Sequence, residues 1–523
     1  MSQIKGKILW VDDEIDLLRA HIMLLSEKGY SVETATNGED AIEFVKARNF
    51  DLVFLDEMMA GLGGLQTLTI IKDIKPEIPV VMVTKNEDEG LMEEAIGTKI
   101  SDYLTKPVNP SQVLLTCKKY LEGKKISEDY VSRDYIKEFN EISIALQSSP
   151  DANDWISIYG KLTDSAMELD AHPESGLRQT LNDQTRECNV EFSKFVERSY
   201  RGWLEQKENR PVLSVDIVEK YLIPELADPN SSVFFFVIDC LRLDQWLVME
   251  SVLREYYNVN RDFYYSILPT ATPYSRNAIF SGSYPDEIEK RFPDIWEKWE
   301  DDDNSRNKYE HPFLDNLLQR RKIQLKPESK YIKILDPEFG RNIEQSILSY
   351  TKNRLTSIVV NFVDMLAHGR SDSSILKEIA PDESAYRSLT HSWFMHSSLL
   401  GMLRTLSRQK NVKIILTTDH GAIRSLRSAK VIGDKEASSN LRYKYGRNLK
   451  CDDRQAIFIK NPADFKLPRR SVTLNYIIAK EDFYFVYPTE YHKYVNQYRD
   501  SFQHGGISME EMILPVIKLV PKS

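Results

Sequence analysis

Short apolar runs alternate with helical patterns of hydrophobic residues five times along the first 121 residues. The runs lie at 7–11, 31–35, 52–55, 78–83 and 100–104. Strands buried on both faces are continuous apolar runs of this length, and helices connect one parallel strand to the next. The pattern therefore predicts a doubly wound α/β domain with five βα repeats at residues 1–122.

The pattern changes to helical spacing at residues 126–210, where β-branched runs are few. Breaks at 151–154 and 172–176 divide the region into about three helices. Apolar residues three, four or seven apart form one stripe on a helix, and such a stripe is typical of core packing. The members of the stripe are Leu181, Cys188, Phe192, Phe195 and Trp203. We expect a helical-bundle connector at residues 123–210.

Three apolar runs in the remaining chain stop at an aspartate, although a buried strand needs no acidic residue at its end. Residues 233–238 lead to Asp239, 357–363 to Asp364, and 412–418 to Asp419. Because parallel strands present their carboxyl ends at one edge of a sheet, we expect the three carboxylates to converge there.

Histidines accompany these aspartates. His368 follows Asp364 by four residues, which is one face of a helical turn. His420 follows Asp419 directly, and His504 precedes two glycines. A lone Asp-His pair is more often an accident of a surface. Three aspartates and three histidines in this context favour two zinc-type sites with open positions.

The order of these motifs resembles the alkaline phosphatase superfamily: Asp, a Thr in a proline-flanked loop, Asp-x-x-x-His, Asp-His-Gly and His-Gly-Gly. The resemblance implies an alkaline-phosphatase-like α/β domain at residues 211–523 with two Zn²⁺ ions. It also implies two ligand sets. One set is Asp364, His368 and His504, and the other is Asp239, Asp419 and His420.

In that superfamily a Ser or Thr nucleophile touches the second ion, and Thr272 matches it here. Thr272 lies ten residues before Gly282, as in the phosphodiesterase branch, while Thr270 is a neighbouring contender. That branch carries Asn three places after its nucleophile, whereas this chain has Ser275. The resemblance implies a metal-dependent phosphoric ester hydrolase that forms a phosphothreonine. The ligands leave monoesters and diesters open; the Thr loop favours diesters such as nucleotide conjugates or oligonucleotides.

Polar residues at the strand ends of the first domain resemble a two-component receiver. The resemblance implies that Asp56 accepts a phosphoryl group from a sensor histidine kinase. It also implies a Mg²⁺ site made by Asp12, Asp13 and Asp56, and switch residues Thr84, Tyr103 and Lys106. Ala60 departs from the family, which often has Pro there. We expect phosphorylation to drive homodimerisation through a face at about 87–121.

The whole arrangement resembles the response regulators of type IX secretion systems, whose C-terminal part belongs to the PglZ group of the superfamily. The resemblance implies control of secretion genes, with a sigma factor as a partner, since no helix-turn-helix is evident. The competing hypothesis is a catalytically silent signalling adaptor that controls transcription by binding a sigma factor or other protein.

Composition narrows the function classes. The chain has 523 residues, 41% of them hydrophobic, and a formal net charge of −10, which gives no global footprint for duplex DNA. Its four cysteines lack paired spacing, and no run reaches the roughly 20 apolar residues of a membrane span. We therefore expect a cytoplasmic protein.

One charged region interrupts the third domain. Residues 286–350 lose strand-like runs and include the acidic run 300–303. We expect an insertion near the site, and the charge pattern favours a solvated surface over a substrate contact.

Overall fold

The structure is a computed structural model, and it describes residues 4–85, 100–173, 176–206, 208–297, 308–434, 440–468, 473–489 and 491–522. The chain separates into two compact units, Met1–Asp134 and Tyr135–Ser523. No helix in these described ranges is both long and apolar enough to cross a membrane.

The first unit contains a parallel five-stranded sheet in the order β2-β1-β3-β4-β5. The strands are β1 Lys7–Val11, β2 Ser31–Ala35, β3 Leu52–Asp56, β4 Val80–Thr84 and β5 Asp102–Thr105. The helices are α1 Arg19–Glu27, α2 Gly38–Ala47, α3 Gly64–Ile74 and α4 Pro110–Cys117, with helical turns at Ile15–Leu18 and Lys118–Glu122. The predicted doubly wound fold is confirmed.

Strand β1 shows why the three central strands of this sheet, β1, β3 and β4, are mostly continuous apolar runs. Successive side chains point to opposite faces of a sheet. Leu9 and Val11 enter one hydrophobic core, whereas Ile8 and Trp10 enter the other. Because both faces are covered, no polar position interrupts the pattern.

Three helices form the connector region: α5 Gly123–Gln147, α6 Ala152–Ala171 and α7 Arg178–Glu205. The division between the two compact units falls at residue 134, inside the range of α5. Helix α6 begins with a capping box between Asp151 and Asp154, at the predicted break. The predicted stripe of α7 is buried throughout. It packs on the C-terminal domain, since the rings of Trp203 and Tyr265 lie 5.2 Å apart.

The C-terminal domain is built on a six-stranded sheet in the order β7-β18-β10-β6-β9-β8. Its strands are β6 Ser232–Ile238, β7 Tyr257–Tyr265, β8 Lys330–Ile334, β9 Leu355–Val360, β10 Val412–Thr417 and β18 Ile513–Pro521. The strands β10, β6, β9 and β8 are parallel, whereas β18 is antiparallel to both β10 and β7.

Three small sheets lie beside the large one. They pair β11 Ile423–Ser425 with β17 Ser501–Gln503, β12 Arg427–Lys430 with β16 Phe483–Val486, and β13 Tyr443–Gly446 and β14 Ala456–Ile459 with β15 Asn475–Ala479. The helices are α8 Leu243–Leu253, α9 Thr272–Ser281, α10 Pro285–Arg291, α11 Pro293–Glu297, α12 Glu310–Arg320, α13 Pro337–Ser346, α14 Phe362–Asp372, α15 Ser374–Ile379, α16 Glu383–Met395, α17 Ser398–Leu406, α18 Tyr491–Tyr498 and α19 Met509–Met512. Helical turns occupy Ser214–Asp216, Val218–Leu222, Ile223–Ala227, Ile347–Lys352 and Pro462–Phe465.

The position of Asp364 corrects one prediction. Strand β9 ends at Val360 and α14 begins at Phe362, so Asp364 lies in the first turn of a helix rather than directly after a strand. Asn361 already has ψ near 3°, and the apolar residue Val363 is a buried helix position. The apolar run was therefore a strand followed by the start of a helix.

The region 286–350, which was predicted to be a solvated insertion, contains regular secondary structure that packs in the core. It contains the edge strand β8 and the helix α12, whose Phe313, Leu314 and Leu317 are fully buried. Strand β8 buries Ile332 and Ile334 while lysines occupy exposed or half-buried positions, so its alternation resembled a charged loop. The region is a part of the domain rather than a solvated insertion. The acidic run 300–303 lies outside the described residues.

Candidate metal and phosphoryl-transfer site

Neighbouring parallel strands bring the first two aspartates together. In the β6–β10 pair, Val237 is opposite Thr417, and each strand leads to its aspartate two residues later. Strand β9 pairs with β6 on the other side, which places the start of α14 at the same edge. Asp239 and Asp419 therefore converge at this edge, as expected. Asp364 lies near them in the first turn of α14.

The first ligand group consists of Asp364, His368 and His504. The two His Nε2 atoms lie 3.3 Å apart. His368 Nε2 lies 3.3 Å from Asp364 Oδ1, and His504 Nε2 lies 3.6 Å from it. A point equidistant from these three atoms is about 2 Å from each, which is the length of a zinc bond to His or Asp. The donor set and its spacing therefore fit a zinc-type ion.

The protonation of this group suits metal binding. Burial and the neighbouring His420 hold the pKa of His504 well below its ordinary value, so its imidazole is neutral. Burial tends to raise the pKa of Asp364, but the hydrogen bond and charge of His368 lower it below the usual range. A neutral imidazole and an ionised carboxylate are the forms that bind a cation.

The second group consists of Asp239, Asp419 and His420, all fully buried. His420 Nδ1 lies 3.1 Å from the carbonyl oxygen of Gly421, an acceptor, so Nδ1 carries the proton and Nε2 is available as a ligand. Nε2 lies 3.7 Å from Asp239 Oδ1 and 3.7 Å from Asp419 Oδ2. In the absence of a cation, burial raises the pKa of Asp239 to about 7.

Thr272 faces this second group. Its Oγ lies 3.0 Å from His420 Nε2 and 3.4 Å from Asp239 Oδ1. Thr272 is the first residue of α9, and Gly282 ends that helix with a left-handed φ of 56°. The spacing of ten residues noticed in the sequence is thus the length of one helix with a glycine at its C-terminus.

Thr270 has a different position. Its hydroxyl donates to the carbonyl of Gly506 at 2.7 Å and accepts from the amide of Gly505 at 3.1 Å. It joins the loop before Thr272 to the turn after His504. Ser275 also bonds to backbone, donating to the carbonyl of Ala271 at 2.9 Å.

Sequence reasoning missed Arg276, which has no solvent exposure. Its Nε donates to Asp419 Oδ2 at 3.0 Å and its Nη2 makes an ion pair with Asp239 Oδ2. Asn361 Nδ2 donates to the same Asp239 oxygen at 2.9 Å. These contacts leave Asp239 Oδ1 directed towards Thr272. The available signal in the sequence was an arginine four residues after Thr272, which is the same face of the helix that begins there.

A glycine is required where the ligand loops meet. A Cβ atom at Gly421 would lie 2.0 Å from the carbonyl oxygen of Glu510, which is too close for any side chain. Gly505 has φ of 113°, a backbone conformation that favours glycine. The glycines after His420 and His504 therefore permit the two loops to approach each other.

The first unit has its own acidic group, in which Asp12, Asp13 and Asp56 offer ligand atoms close together. Lys106 Nζ lies 2.7 Å from Asp56 and 2.8 Å from Asp12. Burial raises the pKa of Asp56, and Lys106 opposes that shift. An oxygen-only set of this kind suits a hard cation such as Mg²⁺.

Of the three residues predicted to form the switch, Lys106 contacts this group. The Thr84 hydroxyl bonds to the carboxylate of Glu57, and Tyr103 is 45% exposed. The strands β4 and β5 that carry these residues are adjacent in the sheet. Of the expected dimer face at 87–121, residues 87–99 lie outside the described residues.

Comparisons with known proteins agree with this anatomy. The family model of the response regulator receiver domain matches residues 8–118. The model of the PorX response regulator linker domain matches residues 125–204, and that of the BREX system PglZ alkaline phosphatase-like domain matches residues 217–519.

Individual relatives match over a shorter part. The transcriptional regulatory protein ZraR of Klebsiella oxytoca is 35% identical over 142 residues, 27% of this chain and 32% of that protein. The alginate biosynthesis transcriptional regulatory protein AlgB of Pseudomonas syringae pv. tomato is 37% identical over 126 residues, 24% of this chain and 28% of that protein. The solved receiver domain of NtrX from Brucella abortus is 34% identical, with a TM-score of 0.21, covering 22% of this chain and 98% of that one.

The match to this chain thus spans about a third or less of the length of these two curated relatives. The fold and the matched domains define a response regulator that carries an alkaline phosphatase-like domain. More particularly, the chain belongs to the PglZ alkaline phosphatase-like family, in the domain arrangement of PorX-like response regulators.

Proposed function

We propose that the C-terminal domain is a zinc-dependent phosphodiesterase with Thr272 as its nucleophile, acting on nucleotide-type diesters that include oligonucleotides. The observation that carries the proposal is the position of the Thr272 hydroxyl, 3.0 Å from His420 Nε2 and 3.4 Å from Asp239 Oδ1. A hydroxyl beside an imidazole and a carboxylate of a ligand group is placed to lose its proton and attack phosphorus.

The ligand groups would hold two zinc-type ions, which would lower the pKa of the Thr272 hydroxyl and of a water and offset charge on the phosphoryl oxygens. Thr272 Oγ gives up its proton and attacks phosphorus, while one alkoxide of the diester leaves on the opposite side and takes up a proton; the phosphothreonine that forms still carries the second ester group. Water then attacks the same phosphorus, and the Thr272 oxygen departs and regains a proton. Asp239 is held by Arg276 and Asn361 throughout, so its orientation need not change.

The receiver would control this activity in the cytoplasm. In the proposal a sensor histidine kinase supplies the phosphoryl group of Asp56, while Asp12, Asp13 and Asp56 hold Mg²⁺. The linker match of residues 125–204 supports a role in type IX secretion, with a sigma factor as a further partner. The adaptor hypothesis is less favoured, because a scaffold without catalysis does not need both ligand groups and a nucleophile directed at one of them.

Metal content tests the two ligand groups directly. Protein never exposed to chelator is expected to contain about two zinc-type ions per chain, and His504→Ala about one, because an imidazole ligand of one site is lost. Elemental analysis is paired with hydrolysis of bis-nitrophenyl phosphate, which His504→Ala should lower at least about 100-fold. The exposed His396→Ala is the matched control. A metal content near zero in the wild type would falsify the metal proposal.

Phosphorylation is expected to change the oligomeric state. A phosphoryl group on Asp56 adds anionic oxygens beside Lys106, and the Thr84 loop is drawn towards them. We expect beryllofluoride with Mg²⁺ to convert the protein to a dimer, measured by light scattering. Asp16→Ala, an exposed aspartate of the same domain, should respond like the wild type. A monomer under saturating mimic, or an Asp56→Ala protein that dimerises equally well, would contradict the switch.

A further inference from the structure

Helix α7 of the connector contacts the turn that follows His504. Asn189, which is 4% exposed, donates from Nδ2 to Glu510 Oε2 at 3.0 Å and accepts the amide of Met509 at 2.9 Å. Ser193, one helical turn further on, donates to the carbonyl of Ile507 at 3.4 Å. These polar atoms are buried, so losing a partner would leave a group unsatisfied.

The same helix contacts the loop that carries the nucleophile. The Tyr200 hydroxyl, which is buried, accepts the amide of Leu268 at 2.8 Å. Leu268 lies four residues before Thr272, and the segment between them contains Thr270. The contacts of Asn189 and Tyr200 are separated by three turns of one helix. Together they set the spacing between the segment after His504 and the segment that leads from Leu268 to Thr272.

Those two segments are joined to each other beside the candidate site. Thr270 bonds to the backbone of both Gly505 and Gly506, directly after His504. Glu511, in the segment held by Asn189, accepts the amide of Gly506 at 2.8 Å. A shift of either segment relative to α7 therefore changes the position of His504, of Thr272, or of both.

We propose that Asn189 and Tyr200 are positioning residues, through which the connector sets the geometry between the nucleophile and the ligand groups. The inference rests on the proposed hydrolase function and adds its route of regulation. Helix α7 is itself held by the C-terminal half of α5, where Gln184 Nε2 donates to the carbonyl of Phe139 at 3.1 Å. Helix α5 follows the receiver in the chain, and its contact with α7 connects it to the helix that holds both segments of the site.

An exchange of amide and carboxylate tests the proposal. Asn189→Asp replaces the amide that donates to Glu510 with a carboxylate, which has no amide proton to donate and repels the Glu510 carboxylate when both are ionised. We expect kcat for bis-nitrophenyl phosphate to fall about 10-fold while KM stays within about twofold and metal content is unchanged. The double variant Asn189→Asp with Glu510→Gln restores one amide and one carboxylate, and we expect kcat to recover to within about threefold.

Asn182→Asp is the matched control, because it makes the same change at an exposed position of α7 two turns away. Tyr200→Phe, which removes only the acceptor of the Leu268 amide, should also lower kcat at constant metal content. Wild-type kcat in both Asn189→Asp and Tyr200→Phe would overturn the proposal. A double variant that folds and binds metal but stays as slow as Asn189→Asp would overturn it as well.

A second readout does not depend on catalysis. Amide hydrogen exchange of residues 505–512 is expected to be faster in Asn189→Asp than in the wild type. In the double variant we expect the exchange rate to return to the wild-type value. Unchanged exchange would refute the positioning role. If exchange behaves as expected but the wild type hydrolyses no diester, the hydrolase proposal fails and the positioning role stands. If the wild type is active and both Asn189→Asp and Tyr200→Phe are equally active, the positioning role fails and the hydrolase proposal stands.

Discussion

Alanine in place of Thr272 is expected to lower kcat for bis-nitrophenyl phosphate by about 10³-fold or more, with both metal ions retained. The reason is that the Thr272 hydroxyl lies 3.0 Å from His420 Nε2 and 3.4 Å from Asp239 Oδ1, where it can lose its proton and attack. The six Asp and His residues of the two ligand groups remain, so metal content should match that of the wild type. The free energy of unfolding should change little, because the hydroxyl makes no bond to backbone in the described structure.

Two variants separate a nucleophile from a structural hydroxyl. Thr272→Ser keeps an oxygen at the attacking position, so its kcat is expected to stay within about tenfold of the wild type. Thr270→Val removes the bonds to Gly505 and Gly506 at constant volume, and it should lower stability by about 1–3 kcal/mol as well as activity. If Thr270→Val were inactive at full stability and Thr272→Ala active, the assignment of the nucleophile would be wrong.

Replacing Arg276 with methionine is expected to destabilise the metal-free protein by about 3–5 kcal/mol, since it leaves buried carboxylates without their counter-charge. Arg276 contacts both Asp239 and Asp419, and Glu310 lies 3.9 Å from it. Bound metal would offset part of the loss, so the stability difference should shrink when zinc is present. Urea unfolding with and without chelator measures both values.

A lysine at the same position tests geometry rather than charge. Arg276→Lys retains one positive charge, but a single ammonium cannot make the two directed contacts of a guanidinium. We expect Arg276→Lys to fold, to bind the second metal more weakly and to lose at least about tenfold in kcat. The exposed Arg341→Lys should resemble the wild type in all three measurements. Full activity in Arg276→Lys would show that charge alone is sufficient.

Much of the fold was accessible from the sequence because strands buried on both faces carry a strong local signal. β1 and β2 have the bounds of the predicted runs, β3 extends its run by one residue, and β4 and β5 each begin two residues later than predicted and end one residue later. The aspartates of the candidate site were recognisable because each follows an apolar run. The order of the Asp and His motifs also pointed to two ligand groups, and the structure places each group's atoms close together.

Local pattern failed where two elements share one apolar run or where an edge strand is half polar. The run that ends at Asp364 contains the end of β9 and the start of α14, and hydrophobicity does not mark the change. Strand β8 is an edge strand that carries Lys330 and Lys333 between its apolar residues, so its signal resembles a loop.

Only the tertiary structure decided the roles of individual polar residues. Thr270 and Thr272 are nearly equivalent in sequence, yet one bonds to the His504 turn and the other faces His420. Arg276 acquires its role from Asp419, which lies 143 residues away. The contact of Asn189 with Glu510 spans 321 residues. Periodicity reports whether a side chain is buried, whereas the partner of a buried polar group depends on which distant segments the fold brings against it.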